Sequence, residues 1–341
     1  MINTLTGRIA PEELGVTLMH EHVTLRSCGA ESDTLHAHPT RKQIVERATY
    51  WLGELKDRGI RTIVDPAPAD IGRDIELSAE VSARTGVQIV AATGLFAQAY
   101  GGAPYWNGKL MYLTVLGRRQ DFVRYIADMF INEIDNGIGP AKLRCGIIKV
   151  ASTTAVTDYE AAILQAAAFA SNATGCPITT HSDDGLLGRE QQRILLSHGV
   201  PAHRIVIGHS CNTGDHEYHR AIVDNGSYIG FDRFGYELVG SDEKRMDALI
   251  RLMRSGAIGS IVLSNDACFC WAHNEEPAVL REFLSNEYAT RWNAHRISDV
   301  ILPALRKRGV TDDEIHTLMV ENPRRYFSGV KPVPQSVHRT S

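Results

Sequence analysis

Along this chain, short apolar runs alternate with longer segments of helical period. The runs are TLMHEHVTL, IRTIVDPA, VQIVAATGLF, CGIIKVAS, PITTHSD, RIVIGHSC, SYIGFDRF and SIVLSNDAC, eight in all. Runs this apolar suit strands buried on both faces, the condition of parallel strands covered by helices. The segments between them read as those helices. TRKQIVERATYWLGELKDRG opens with Thr40 and Gln43 at capping-box spacing, sets Ile44, Ala48, Trp51, Leu52 and Leu55 on one stripe, and stops at Gly59. TDYEAAILQAAAFASNATG repeats the scheme from Thr157 and Glu160 to Gly175. Similar units are GREQQRILLSHG, DHEYHRAIVDNG and SDEKRMDALIRLMRSG, and SDVILPALRKRG with TDDEIHTLMVENPRRYF closes the series.

Eight buried strands alternating with helices predict an α/β fold, a (β/α)8 TIM barrel. An open doubly wound sheet more often has fewer strands and a Gly-rich phosphate turn, and no such turn is seen. No linker or low-complexity stretch divides the chain. The expectation is one barrel domain over residues 1–328 with a loosely ordered tail at 329–341. The longest connections follow the first, third and eighth strands, at the strand ends where barrels build their sites.

Composition narrows the function classes. With 341 residues, 43% hydrophobic and 22% charged, the chain can bury a large core. A net charge of -4 offers no basic stripe, which speaks against nucleic acid as a partner. No run approaches the roughly 18 apolar residues of a membrane span, and MINTLTGRIA lacks a signal-peptide pattern. A cytoplasmic protein is expected, unless a leader has been removed. Cys28, Cys145, Cys176, Cys211, Cys268 and Cys270 form no Cys-x-x-Cys pair, so they read as small hydrophobes rather than as a zinc knuckle or disulfide framework.

Polar residues gather where such a barrel would use them. In TLMHEHVTL, the two-residue period of a strand puts His20 and His22 on one face and Glu21 on the other. Lys149 is expected to end strand four, His181 strand five, His209 strand six and Asp266 strand eight, all toward one mouth. Lys149, flanked by Ile147, Ile148 and Val150, faces a heavy desolvation cost as an ammonium. Three readings stand: it snorkels to the rim, it is a low-pKa amine poised for Schiff-base chemistry, or it has added carbon dioxide to become a bridging carbamate ligand. In the third, two divalent ions bring +4 against -3 from the carbamate, Asp266 and a hydroxide, near the neutrality a buried site demands.

The set HEH, IIKVAS, TTHSDD, GHS and SNDA, in this order, closely resembles the phosphotriesterase family of the amidohydrolase superfamily, including its lactonases and organophosphate hydrolases. DIGRDIELSAEVSARTGVQIVAATGLF, HGVPAHRIVIGHS and VENPRRYF extend the likeness over most of the chain. The resemblance implies that His20, His22 and Asp266 hold a buried metal and His181 and His209 a more exposed one. Carbamylated Lys149 and a hydroxide would bridge them. Zinc is the first expectation, with cobalt, manganese, nickel or iron as alternatives. The hydroxide would be the nucleophile, the exposed metal would polarise the oxygen under attack, and Asp266 would take the proton. A homodimer is also implied.

Two departures bear on substrate. Phosphotriesterases proper typically have a histidine after the strand-seven aspartate and an acid shortly after the strand-six histidine, where this chain has Arg233 and Asn212. Asp-Arg-Phe-Gly instead resembles the lactonase branch, with Arg233 shaping the pocket, although that branch usually carries a tyrosine at the place of Phe96. Tyr100 or Tyr105 could supply the missing hydroxyl. Trp106, Phe269 and Trp271, in loops after strands three and eight, are candidates for an apolar pocket wall. His36, His38, His216, His219 and His273 read as surface residues. A lactone or carboxylic ester is the expected substrate, with organophosphate triesters as a side activity. The alternatives are a true phosphotriesterase (aryldialkylphosphatase), an amidase or deaminase of the superfamily, and a barrel that only binds.

Overall fold

The structure is a computed structural model that describes residues 1–332 except 36, 103, 184, 186 and 274–290. The predicted runs become parallel strands: β3 (Thr17–Leu18), β4 (Thr62–Asp65), β5 (Gln88–Leu95), β6 (Ile147–Ser152), β7 (Ile178–Ser182), β8 (Ile205–Ile207), β9 (Tyr228–Phe231) and β10 (Ile261–Leu263). They pair in chain order in one sheet. The first and last strands meet through Met19 N to Leu263 O at 3.2 Å, Asp266 N to His20 O at 2.9 Å and His22 N to Ala267 O at 2.8 Å. The ring therefore closes, as an (β/α)8 barrel requires.

Helices cover the sheet. Helix α1 (Arg41–Asp57) starts at the expected capping box on Thr40 and Gln43, and buries Ile44, Val45, Ala48, Leu52 and Leu55; Trp51 is only half-buried. Helix α2 (Ile75–Thr85) follows β4, and α5 (Asp158–Thr174) opens on the Thr157–Glu160 box and ends at left-handed Gly175. The connection after β5, read from sequence as one of the longest and with Trp106 in a loop, folds into α3 (Pro104–Val115) and α4 (Arg119–Asp135). Next come α6 (Gly188–Ser197), α7 (His216–Asp224) and α8 (Asp242–Leu252). An antiparallel hairpin, β1 (Ile2–Thr4) with β2 (Gly7–Ile9), lies against the barrel floor, where Asn3 Nδ2 donates to Ile134 O and Cys145 O.

Four strand ends differ from expectation, and each difference serves the mouth. Regular pairing of the first strand stops at Leu18, and His20 N–H instead donates to Ser264 Oγ at 2.8 Å. Lys149 lies within β6 rather than at its end. His209 and Asp266 fall beyond β8 and β10, in left-handed backbone with φ of 56° and 57°. Non-glycine residues hold that conformation at some cost, and turning there points both side chains back over the barrel axis. The four cysteines 145, 176, 211 and 270 are buried, whereas Cys28 is exposed and Cys268 half-buried. Of the expected tail, residues 333–341 lie outside the described residues; Val330 O still accepts from Tyr228 OH. No helix among the described residues is long and apolar enough to cross a membrane.

Candidate active site

The five predicted ligands and Lys149 come together at the C-terminal end of the barrel. His20, His22, Lys149, His181 and Asp266 line one cavity of about 360 Å³, and His209 sits just beneath it. His20, His22 and Asp266 present ligand atoms within 4.8 Å of one another. His20 Nε2 lies 3.0 Å from Lys149 Nζ, and His209 Nε2 lies 2.8 Å from His181 Nδ1. All of these side chains are buried, down to 0% exposure for His209.

Carboxylates behind the ring select which nitrogen faces inward. Asp232 accepts from Nδ1 of His20 at 3.2 Å and from Nδ1 of His209 at 3.0 Å, and Asp65 pairs with Nδ1 of His22 at 3.3 Å. Each partner fixes a tautomer and leaves Nε2 free toward the cavity. On the far side, Asp183 pairs with Nε2 of His181 at 2.8 Å, which leaves Nδ1 as the inward nitrogen. Sequence reasoning singled out none of Asp65, Asp183 or Asp232, although each ends a strand or lies within one residue of its end.

Titration follows the burial. Burial, with the charge of Lys149, lowers His20 to about 4, and burial lowers His181 to about 4 as well. At His22 burial also lowers the pKa, but hydrogen bonds to Asp266 and Asp65 outweigh it and raise the group to about 9. Lys149 falls to about 7 because it is buried, against the opposing pull of Asp266 and Asp232. For Asp266 burial works upward, yet His209, His20 and Arg233 hold the carboxyl well below its ordinary range. The result is neutral imidazoles at His20 and His181, a protonated one at His22 whose proton a bound cation would have to displace, a half-titrated amine and an ionised carboxylate. That donor chemistry, with inward nitrogens already fixed, fits divalent cations such as zinc.

The predicted pocket residues divide. Arg233 is buried and donates Nε to Asp266 Oδ2 at 2.9 Å, with its guanidinium 5.2 Å from the centre of the Tyr236 ring. Phe96 stands edge-on to His181 at 4.8 Å between ring centres. Tyr100 lines the cavity, its hydroxyl donating to Asp183 at 3.0 Å, and Trp271 lines it too. Trp106 does not: carried away on α3, it packs against Tyr105 and Tyr125. Phe269 is buried in the core instead, because alternation along its segment turns it away from the mouth. Tyr236 and Trp292, their rings tilted at 52° with centres 4.6 Å apart, complete the wall and were not foreseen. His219, expected at the surface, is fully buried, with Nε2 on Ser210 O at 2.9 Å and its ring against Phe231. His38, His216 and His273 are half-buried, and His36 lies outside the described residues. Asn212 braces the rim by donating to Asp183 O at 3.2 Å. A larger cleft of about 700 Å³ opens at the opposite end of the barrel, by His203, Arg220 and Asp224. Neither of the two clusters of ligating side chains found among the described residues lies in it.

Comparison with known proteins agrees with this geometry. The sequence profile of the phosphotriesterase family matches residues 1–327. A phosphotriesterase homology protein of Mycobacterium tuberculosis is 37% identical over 328 residues, 96% of this chain and 97% of that one. An aryldialkylphosphatase of Saccharolobus solfataricus is 32% identical over 324 residues, 94% and 97% of the two chains. A crystal structure of a variant phosphotriesterase-like lactonase from Deinococcus radiodurans superposes with a TM-score of 0.89 at 35% identity, covering 96% of this chain and 100% of that one. The chain belongs to the phosphotriesterase family and is a hydrolase.

Proposed function

We propose that this hydrolase uses two divalent metal ions to open a lactone or carboxylic ester, with phosphotriester hydrolysis as a second activity. The observation that carries the reading is the convergence of His20, His22, Lys149, His181, His209 and Asp266 on one cavity. His20, His22 and Asp266 would hold one ion, His181 and His209 the other, and Lys149 as a carbamate would join them. When bound, such ions supply Lewis acidity and water of lowered pKa. A lysine titrating at about 7 is about half free amine near neutrality, far more than an ordinary lysine, and the free amine is the form that adds carbon dioxide with loss of a proton.

The chain's own side chains supply the rest. Asp266 is ionised and can accept a proton at Oδ1 or Oδ2, then return it to an alkoxide leaving group. Arg233, anchored on Asp266, sets a fixed cation where the polar head of a carbonyl substrate enters. Leu25, Ile71, Phe96, Trp271 and Trp292 form an apolar wall for its tail. A cavity of about 360 Å³ is at the small end of the roughly 300–1,000 Å³ of small-molecule sites, which suits a compact ring. The names of the relatives point to both activities. A homodimer in the cytoplasm is part of this reading, and the exposed Met111, Tyr112 and Val115 on α3 support a covered face there.

The test is a hydrolysis screen of the metal-loaded protein against lactones, aryl esters and phosphotriesters, with proton release as readout. The largest kcat/KM is expected for a lactone or ester. Phosphotriesters ahead of every such compound by more than about a hundredfold, about 2.7 kcal/mol of transition-state preference, would make it a phosphotriesterase instead.

A further inference from the structure

Glu21, between the two histidines of His-Glu-His, is the one polar residue of that stretch that points away from the cavity, and it is fully buried. Its carboxylate is saturated by one short segment. Oε1 accepts from Ser264 Oγ at 2.8 Å, Asn265 N at 2.8 Å and Asn265 Nδ2 at 2.9 Å, and Oε2 accepts from Ala267 N at 3.1 Å. The two backbone donors flank Asp266, whose own N–H donates to His20 O at 2.9 Å. Ser264 Oγ in turn accepts from His20 N, and Asn265 reaches on to Ile297 N through Oδ1 at 3.0 Å.

Asp266 sits in this clamp at φ 57°, a conformation that a non-glycine residue keeps only when its surroundings over-determine it. An extended residue at that point would continue the line of β10 and send the carboxylate elsewhere. The clamp keeps Asp266 Oδ1 3.2 Å from His22 Nε2 and 3.4 Å from His20 Nε2. We infer that Glu21 is a positioning residue for hydrolysis: it holds the Ser264–Ala267 turn so that the Asp266 carboxylate meets the two histidines of the same strand. The inference rests on the reading of Asp266 as ligand and proton acceptor. It explains why an acid separates the two histidines: the strand that supplies two ligands also anchors the third.

Glutamine at position 21 keeps one acceptor oxygen but turns an NH2 toward a backbone N–H, so one side of the clamp opens. Glu21→Gln is expected to lower kcat by about ten- to a hundredfold, with KM within about threefold, and to weaken cobalt binding, read by visible absorption, by a similar factor. The decisive measurement is a double-mutant cycle with Asp266→Asn on both quantities. If Glu21 acts through Asp266, its replacement should cost no more than about twofold in the Asp266→Asn background. Equal losses in both backgrounds, or a lowered melting temperature with kcat and cobalt affinity unchanged, would overturn the inference. Unchanged turnover and cobalt binding in Asp266→Asn alone would instead overturn the reading of Asp266. Should Glu21→Gln fail to fold, Ser264→Ala removes one donor from Oε1 and the acceptor of His20 N, and the same cycle applies to it.

Discussion

Asp232 stands behind two candidate ligands at once, so Asp232→Asn should damage one metal position more than the other. Oδ1 of Asp232 takes both the backbone N–H of His209 at 2.8 Å and its Nδ1 at 3.0 Å, whereas Oδ2 takes only Nδ1 of His20 at 3.2 Å. Asparagine has one acceptor oxygen. Two hydrogen bonds outweigh one, so that oxygen stays with His209 and the NH2 turns to His20. His20 must then accept at Nδ1, which moves its proton to Nε2, the atom facing Lys149 and Asp266. A protonated Nε2 cannot bind a cation. Restoring the useful tautomer sets two donors face to face in a buried place, at a cost of about 1–3 kcal/mol. The affinity of an ion held by His20 should therefore fall about 5- to 150-fold, a span that brackets the roughly 10- to 100-fold usual for partners of metal-bound histidines.

The assay is stepwise removal of zinc by a chelator, with metal content measured by elemental analysis. The parent protein is expected to hold two ions per chain. The variant should release one at much lower chelator concentration and keep the other, held by His181 and His209, within a few fold of the parent. Two ions retained at parental affinity would refute the tautomer argument, and parallel loss of both would refute the assignment of asparagine's oxygen to His209.

Other outcomes follow from the same geometry. Lys149→Met should strip at least one ion, and short carboxylic acids should partly restore activity to Lys149→Ala by replacing the carbamate; full activity with both ions in Lys149→Met would rule that carbamate out. Arg233→Met should cost lactones more than phosphotriesters, and Phe96→Tyr should favour lactones by placing a hydroxyl beside His181; paired kcat/KM values decide both. Burial pushes the Asp70 carboxyl up to about 6, with Phe96 N–H as its opposing partner. The folded chain thus holds a proton on Asp70 that the unfolded chain has released between about pH 4 and 6, and stability falls as pH rises through that window. Asp70→Asn should then be the more stable protein at pH 7, by at most about 3 kcal/mol, and gain nothing near pH 4. Thermal melts at the two pH values test this.

The barrel was legible in the sequence because strands buried on both faces must be apolar throughout, and that condition leaves eight recognisable runs. The same condition exposed the candidate ligands: a histidine or lysine inside such a run has no bland place to go. The helices after β5 were missed because α3 carries Tyr105, Met111, Tyr112 and Val115 outward, so no apolar stripe marks its face. Trp106 was misplaced for that reason too, since a residue's direction from a helix of unknown axis cannot be read from its neighbours. Glu21, Asp65 and Asp232 show a different limit. Asp65 and Asp232 are acids near the end of an apolar run and Glu21 is an acid in the middle of one, placements that signal a site as strongly as a histidine does. What an acid does there depends on which atom across the barrel it meets, and that is set by the stagger between strands rather than by either run alone. Asp266 and Asp232 make the contrast plain: both follow short, fully buried strands, yet one turns through left-handed backbone toward the cavity while the other stays behind two imidazoles. The backbone turn separates the candidate ligand from the acid that braces candidate ligands here, and contacts with Glu21, some 245 residues away in the chain, hold that turn.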